Sequence, residues 1–187
     1  MDLLIAGLGN PGARYAATRH TLGYIVAAEL LARWHAPAER EKYGGALSEV
    51  RLEDGTTVAL LRPLGFMNLS GGPVQKAMRT YGLGPDQLVC LHDDVEARFG
   101  QIRAKLGGGL GGHNGLRSVA DRLGTREFGR VRCGIGRPGA GERRDLADWV
   151  LSPFEPDEDP QPMIGEAVDC VELIAREGFE AALAAYP

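Results

Sequence analysis

Two histidines stand in contexts that favour proton transfer. His20 closes the sequence Thr-Arg-His at a loop-to-helix junction, and His113 ends a glycine run. A histidine titrates near neutral pH and works best as a general base when a carboxylate holds its other ring nitrogen. Asp93 and Asp94, just after His92 and beyond an apolar strand, are available for that task. The pattern indicates a histidine–carboxylate pair, although a single histidine is more often a surface or core residue.

Three asparagines lie in glycine-containing contexts that suit a reaction centre. They are Asn10 in Gly-Asn-Pro-Gly, Asn68 in Phe-Met-Asn-Leu-Ser-Gly and Asn114 in Gly-Gly-His-Asn-Gly. An amide donates and accepts hydrogen bonds, so it can stabilise a developing oxyanion without changing charge. The structural alternative is turn formation or helix capping, and Asn68 fits the N-cap of a following helix. The two roles are compatible.

Covalent and metal chemistry have little support in the sequence. GxSxG and HExxH are absent, and Cys90, Cys133 and Cys170 are scattered without a CxxC pair. His92-Asp93-Asp94 alone does not make a metal site. A water activated by histidine is the simpler scheme, and we expect no metal.

A glycine-rich loop lies inside a basic block. Residues 107–115 are Gly-Gly-Gly-Leu-Gly-Gly-His-Asn-Gly, and such a loop lets backbone N–H groups approach an anion where a helix begins. Between residues 98 and 144 there are eleven basic and three acidic residues, whereas the whole chain carries −4. This imbalance indicates a local phosphate-binding face that includes Arg103 and Lys105. The alternatives are a flexible linker and a solvated face.

The sequence Gly-Leu-Gly-Asn-Pro-Gly at residues 7–12 matches the dinucleotide-binding pattern GxGxxG. That interpretation needs a helix that opens within the glycines and a second strand about 20 residues on. Here Pro11 and a polar run delay the helix to about residue 21, and residues 30–36 continue that helix. The pattern is therefore disfavoured as a nucleotide-cofactor site.

The apolar periodicity predicts strands alternating with helices. Strands are expected at 2–7, 87–91, 100–106 and 130–135, a hairpin at 46–61, and helices at 22–33, 70–81, 114–123 and 160–186. This order predicts one α/β domain over 1–187, with a mixed, mostly parallel twisted sheet between helical layers. Because ligands bind beyond the carboxyl ends of parallel strands, Asn10, Met67-Asn68 and Asp93 should converge. Residues 136–150 are a candidate lid, which begins with a loop rich in glycine, proline and arginine at 136–144.

Composition sets the class of protein. A length of 187 residues suits one domain, and 44% hydrophobic with 25% charged residues is typical of globular chains. No apolar run approaches the roughly 18 residues of a membrane span. The first residues predict a strand rather than a signal peptide, and an odd number of scattered cysteines fits a reducing compartment, so we expect a cytoplasmic protein.

Five motifs occur in an order that resembles the bacterial-type peptidyl-tRNA hydrolase family, over about residues 3–155. They are Gly-Leu-Gly-Asn-Pro-Gly followed by Tyr15 and Thr-Arg-His; Phe-Met-Asn-Leu-Ser-Gly; His-Asp-Asp; Gly-Gly-Gly-Leu-Gly-Gly-His-Asn-Gly-Leu-Arg; and Arg-Val-Arg-Cys-Gly-Ile-Gly-Arg-Pro. The resemblance implies a monomeric enzyme without cofactor. Such an enzyme cuts the ester between a peptide and the acceptor end of its tRNA.

The resemblance also implies a role for each matched residue. His20 would be the base that activates water, and Asp93 would orient it. The ester, the peptide and the terminal nucleotide would be positioned by Asn10, Asn68, Asn114, Tyr15, Phe66, Met67 and His113. The phosphates of the tRNA acceptor end, which leads to the 3′ CCA, would be held by Lys105 and Arg132, with Arg103 nearby.

Two residues depart from the family pattern. Thr21 stands where an asparagine is usual, and Gly65 where a threonine is usual, so we expect reduced affinity or rate but not loss of function. The rival hypotheses are an RNA-splicing partner like some plant organellar relatives, an NAD-dependent oxidoreductase, and a globular domain with no tRNA role. The presence of His20, Asp93 and the three asparagines favours catalysis.

Overall fold

A seven-stranded sheet organises the chain. The computed structural model describes residues 1–139, 141 and 144–187. The strands are β1 (Leu3–Gly7), β2 (Arg40–Lys42), β3 (Gly45–Arg51), β4 (Thr57–Pro63), β5 (Leu88–Asp94), β6 (Ile102–Leu106) and β7 (Gly129–Gly134). They lie in the order β2-β3-β4-β1-β5-β7-β6. The four strands β4, β1, β5 and β7 run parallel, whereas β2, β3 and β6 pair antiparallel at the two edges.

Helices cover both faces of the sheet and complete three layers. They are α1 (Leu22–Arg33), α2 (Gly71–Tyr81), α3 (Asn114–Leu123), α4 (Leu146–Val150), α5 (Gln161–Glu177) and α6 (Phe179–Ala185). One core cluster joins α1, α5 and α6 to the sheet, and the other joins α2 and α3 to the opposite face. The predicted α/β class and three-layer architecture are confirmed. Among the described residues, no helix is long and apolar enough to cross a membrane.

Most predicted elements are present, and the differences have local causes. The predicted strand at 87–91 extends to Asp94, because His92, Asp93 and Asp94 pair with β7 although they are polar. The predicted C-terminal helix divides at Gly178, whose φ of 89° breaks the helix. Strand β2 was not predicted, since three charged residues carry no apolar alternation.

The candidate lid at 136–150 contains a helix that the periodicity did not predict. Residues 140, 142 and 143 of this segment lie outside the described residues. Helix α4 begins after Asp145, whose side chain accepts a hydrogen bond from the N–H of Asp148 at 2.8 Å. An aspartate before an apolar turn is a helix-start signal, so the sequence did contain a clue.

Two glycines of the GxGxxG match, Gly7 and Gly9, serve packing, whereas nothing lies within 4 Å of a Cβ placed on Gly12. A Cβ on Gly7 would lie 2.4 Å from the carbonyl oxygen of Gly23 in α1, and one on Gly9 would lie 2.7 Å from the ring of Tyr24. The chain then continues through α1 to a hairpin instead of a second parallel strand. Close packing of helix on strand explains this motif without a nucleotide.

Replacement of Gly23 by alanine should destabilise the fold where α1 meets the sheet. The added methyl would lie 2.3 Å from the carbonyl oxygen of Leu91 and 2.4 Å from the backbone of Leu8. Such overpacking costs about 1–3 kcal/mol, which urea denaturation would measure. Gly165→Ala is the matched control, since nothing lies within 4 Å of its Cβ position. The control should gain about 0.5–1 kcal/mol. Equal stability of the two variants would contradict the packing argument.

Candidate active site

The site is built around the buried carboxylate of Asp93. Both of its oxygens lie 2.9 Å from Nδ1 of His20, and Oδ1 also lies 3.0 Å from Nε2 of His113. Asp93 belongs to the end of β5, His20 to a short turn before α1, and His113 to the start of α3. The structure therefore brings together the predicted pair of His20 and Asp93 and adds a second histidine.

The backbone selects the tautomer of His113. Its Nδ1 accepts hydrogen bonds from the N–H groups of Gly115 at 3.1 Å and Leu116 at 3.3 Å, so this nitrogen carries no proton. The proton of neutral His113 must lie on Nε2, from which it is donated to Asp93. His113 consequently has no free lone pair and cannot act as the base. The same hydrogen bonds occupy N–H groups at the start of α3 that were candidates for binding an anion.

His20 is left as the group that can take a proton. Its Nδ1–H donates to Asp93, which leaves the lone pair on Nε2. Burial alone lowers the pKa of His20, but the charge of Asp93 and the hydrogen bond to it outweigh burial and raise the pKa above its ordinary value. Burial would likewise raise the pKa of Asp93, yet the two histidines, His20 foremost, lower it. Asp93 is therefore ionised near neutral pH.

His92 is neutral and lies against the same cluster. Its Nδ1–H donates to the carbonyl oxygen of Asp93 at 2.7 Å, and its ring meets that of His113 edge-on with centroids 5.0 Å apart. Burial foremost, with a further contribution from the neighbouring His113, lowers the pKa of His92 to about 3. His92 thus adds no positive charge to the site.

Two cavities open on either side of His20. One of about 220 Å³ is lined by His92, Asp93, Asp94, the glycine loop and α4; the other, of about 520 Å³, is lined by Asn10, Phe66, Met67, Asn68 and Arg117 among others. His20, Asn114, Ala147 and Val150 line both. The cavities are therefore neighbouring parts of one cleft, with His20 between them and α4 as a common wall.

The asparagines occupy different environments. Asn10 is buried, and its Oδ1 accepts a hydrogen bond from the N–H of Met67 at 2.8 Å, so mainly its NH₂ group is left for a ligand. Asn68 and Asn114 are exposed in the cleft. The structural alternative, in which Asn68 caps the following helix, is wrong: Asn68 lies in a separate short turn, and Ser70 precedes α2.

Tyr15 and the two departures from the family pattern lie at the edge of the site. Tyr15 is not among the residues that line either cavity in the described part of the chain. Its carbonyl accepts a hydrogen bond at 2.8 Å from the hydroxyl of Thr21, which is buried. Thr21 therefore braces the loop before His20. A Cβ on Gly65 would lie 3.3 Å from that of Leu69, so a larger residue there would require a small shift.

The predicted phosphate-binding residues share two strands at one edge of the sheet. Arg103 on β6 pairs with Arg132 on β7, and Lys105 lies two residues further along β6. Arg132 donates through Nε to Asp94, and Arg103 donates to the carbonyl oxygen of Pro187 at 2.8 Å. The structure places these cations together but engages two of them internally.

Two buried arginines had no predicted role. Arg130 donates to the carbonyl oxygens of Gly109 at 2.7 Å and Gly108 at 3.2 Å, and thereby holds the glycine loop. Arg19 is fully buried next to His20. Both arginines belong to motifs quoted above, but residue types alone do not indicate which groups they bind.

Replacement of Asp93 by asparagine should lower the pKa of His20. Without the carboxylate charge only the cost of burial is left, so the pKa should fall below 6.5, the ordinary value. NMR titration of the imidazole protons measures it. Asp94→Asn is the control, because Asp94 pairs with Arg132 rather than with His20. A pKa that stays raised in Asp93→Asn would show that another group sets it.

Comparisons with known proteins agree over nearly the whole chain. A family model described as peptidyl-tRNA hydrolase matches residues 4–187. The peptidyl-tRNA hydrolase of Sorangium cellulosum is 44% identical over 97% of this chain and 82% of its own length. That of Mycobacterium bovis is 46% identical over 96% of this chain and 94% of its own. The crystal structure of the Acinetobacter baumannii peptidyl-tRNA hydrolase superposes with a TM-score of 0.84 at 34% identity, covering 97% of this chain and 94% of that one.

Proposed function

Since this chain belongs to the peptidyl-tRNA hydrolase family, we propose that it hydrolyses the ester bond of peptidyl-tRNA and releases peptide and free tRNA for reuse in translation. The observation that carries the mechanism is the hydrogen bond of His20 to the ionised Asp93, in a cleft open on both sides of His20. We further propose that the enzyme is a cytoplasmic monomer that acts at the acceptor stem and 3′ CCA end.

We propose that His20 activates the attacking water. Its Nε2 takes a proton as the water oxygen attacks the ester carbonyl carbon, and Asp93 stabilises the imidazolium that forms. Collapse of the tetrahedral intermediate breaks the bond to the ribose oxygen, which recovers that proton from Nε2. An ester suits this modest machinery, since a ribose oxygen leaves more easily than an amine.

We assign the positioning roles by place in the cleft. The NH₂ group of Asn10 and the exposed amide of Asn68 are suited to the ester carbonyl, and Asn114 to the water or the terminal adenosine. Phe66 and Met67 offer apolar surface to the peptide and terminal nucleotide. His113 supports the site through Asp93. We propose that residues 136–150 form a lid over the cleft. Helix α4, within this segment, is the wall shared by the two cavities.

We propose that hydrolysis needs no metal ion. Ligand atoms of His20, Asp93 and His113 lie within 4.8 Å of one another, which makes them a candidate metal-binding group. A metal on Nε2 of His113 would, however, move the proton to Nδ1, where the N–H groups of Gly115 and Leu116 already point. That conflict disfavours metal binding at this group.

Replacement of His20 by alanine should lower the rate of ester hydrolysis by about 10²–10⁴-fold, the usual contribution of a general base. Release of free tRNA from N-acetylaminoacyl-tRNA, with and without EDTA, measures it, and EDTA should have no effect. His35→Ala is the control, since His35 lies just beyond the end of α1 and lines neither cavity of the cleft. No cleavage by the parent, with tRNA binding retained, would favour the non-catalytic RNA-binding alternative.

Replacement of Lys105 by alanine should weaken tRNA binding and its dependence on salt. The logarithm of the association constant falls linearly with the logarithm of salt concentration. Removing one ion pair between the protein and a phosphate makes this slope less steep by about 1. Filter binding of uncharged tRNA over a range of salt concentrations measures both. Lys42→Ala removes the same charge from β2 at the opposite edge of the sheet and should change neither. Identical slopes for the parent and Lys105→Ala would remove Lys105 from the phosphate site.

A further inference from the structure

We propose that Arg19 is a positioning residue that holds the α4 wall of the cleft against the turn that carries His20. The inference rests on the proposed function, because it assigns the wall to the substrate groove. Arg19 is fully buried although it is charged, and a buried charge is costly unless it is paired and hydrogen-bonded. The groups that bind the guanidinium of Arg19 should therefore indicate the structural role of this residue.

The guanidinium group of Arg19 holds the chain that follows α4. One terminal nitrogen donates to the hydroxyl of Ser152 at 2.7 Å and to the carbonyl oxygen of Pro153; the other donates to the carboxylate of Glu158 at 2.5 Å. The same carboxylate accepts the N–H of Glu155 at 2.8 Å. One side chain thus binds both ends of the segment from Ser152 to Glu158.

Aromatic stacking ties α4 itself to the same group. The guanidinium carbon of Arg19 lies 3.7 Å from the centre of the Trp149 ring and 5.4 Å from that of Phe154. Trp149 is the buried residue of α4, and its Nε1–H donates to the carbonyl oxygen of Gly136 at 2.9 Å. Arg19 therefore packs on the residue that anchors α4 to the start of the preceding loop.

The backbone completes the connection to the reaction centre. The N–H of Arg19 donates to the carbonyl oxygen of Ser152 at 3.0 Å, and Thr18 forms an isolated β-bridge with Pro153. On the other side of the peptide bond lies His20, which holds Asp93. Ala147 and Val150 of α4 face both cavities. Arg19, which binds the chain after α4, and His20, the proposed base, are thus neighbours in sequence. Their adjacency fixes the position of the base relative to the wall that α4 forms.

Lysine cannot replace these interactions. The planar guanidinium stacks on Trp149 and donates in two directions at once, whereas an ammonium group is a compact charge that cannot stack in this way. Without the guanidinium group of Arg19, α4 should be able to shift relative to His20. A misplacement of about 1 Å at a reaction centre can cost about 100-fold in rate.

The test compares Arg19→Lys with Arg33→Lys. Arg33 is the last residue of α1 and pairs with Asp169 and Glu172 of α5. Arg19→Lys should lower kcat/KM for N-acetylaminoacyl-tRNA by about 10–100-fold, with a rise in KM as the larger part. The acid limb of the pH profile should stay in place, because the contact of His20 with Asp93 is intact. Arg33→Lys should match the parent.

A second measurement does not depend on activity. Trp34 and Trp149 are the two tryptophans, so in a Trp34→Phe background the fluorescence reports on Trp149 alone. Trp149 is 5% exposed, and acrylamide should quench it weakly. Arg19→Lys should increase that quenching. Glu158→Gln, which keeps the shape of the partner but removes its charge, should increase it as well and serves if Arg19→Lys does not fold.

The outcomes separate the inference from the proposed function. If the folded Arg19→Lys and Glu158→Gln proteins keep the quenching and the kcat/KM of the parent, Arg19 does not position the wall. A shift of the acid limb in Arg19→Lys would also overturn the inference, since the arginine would then act on the base. If the parent does not cleave the ester, the proposed function fails, and the quenching comparison still decides whether Arg19 holds α4.

Discussion

The fold depends on a carboxylate that is buried together with its charge. Removing Asp93 from water is unfavourable unless hydrogen bonds and nearby donors compensate, and the loss of one partner of such a group is strongly destabilising. The compensation comes from His20 and His113, which lie 73 residues before and 20 residues after it in the chain. Strand β5, the turn before α1 and the start of α3 must therefore meet at one point. Close packing of Gly7 and Gly23 between β1 and α1 makes part of that meeting possible.

The two histidines on Asp93 differ because the backbone treats them differently. Both rings place a nitrogen within 3.0 Å of the same carboxylate oxygen, so contact with Asp93 alone does not distinguish a base from a support. The N–H groups of Gly115 and Leu116 make the distinction, since they occupy the remaining nitrogen of His113. A glycine at the second position of α3 lets this turn lie close to Met67, where a Cβ would come within 2.5 Å of the sulfur. Helix capping thus takes part in defining which group can accept a proton.

Much of this could be predicted from the sequence, and what could not has physical reasons. The apolar periodicity predicted the three-layer α/β fold, and the rule on carboxyl ends of parallel strands predicted that Asn10, Met67-Asn68 and Asp93 converge. The short helix α4 was missed because five residues give little periodicity. The role of Arg19 was beyond prediction, since its partners lie 133–139 residues away and only the folded chain brings them near. The tautomer of His113 likewise depends on cap geometry that residue types alone do not give.

The basic residues between 98 and 144 show most clearly how a sequence pattern can differ from the folded arrangement. The basic block at residues 98–144 predicts a strongly positive face, yet several of its cations are engaged within the chain. Asp94 holds Arg132, Glu96 holds Arg137, and the carbonyl oxygens of the glycine loop hold Arg130. A polyanion that approaches this edge therefore meets less positive charge than the sequence suggests, and to bind Arg132 it must compete with a neighbouring carboxylate. Since Asp94 follows Asp93 directly, the same strand end that orients the base also restrains a cation proposed for the phosphate. In the proposed enzyme, substrate binding and proton transfer are thus governed from adjacent residues of β5.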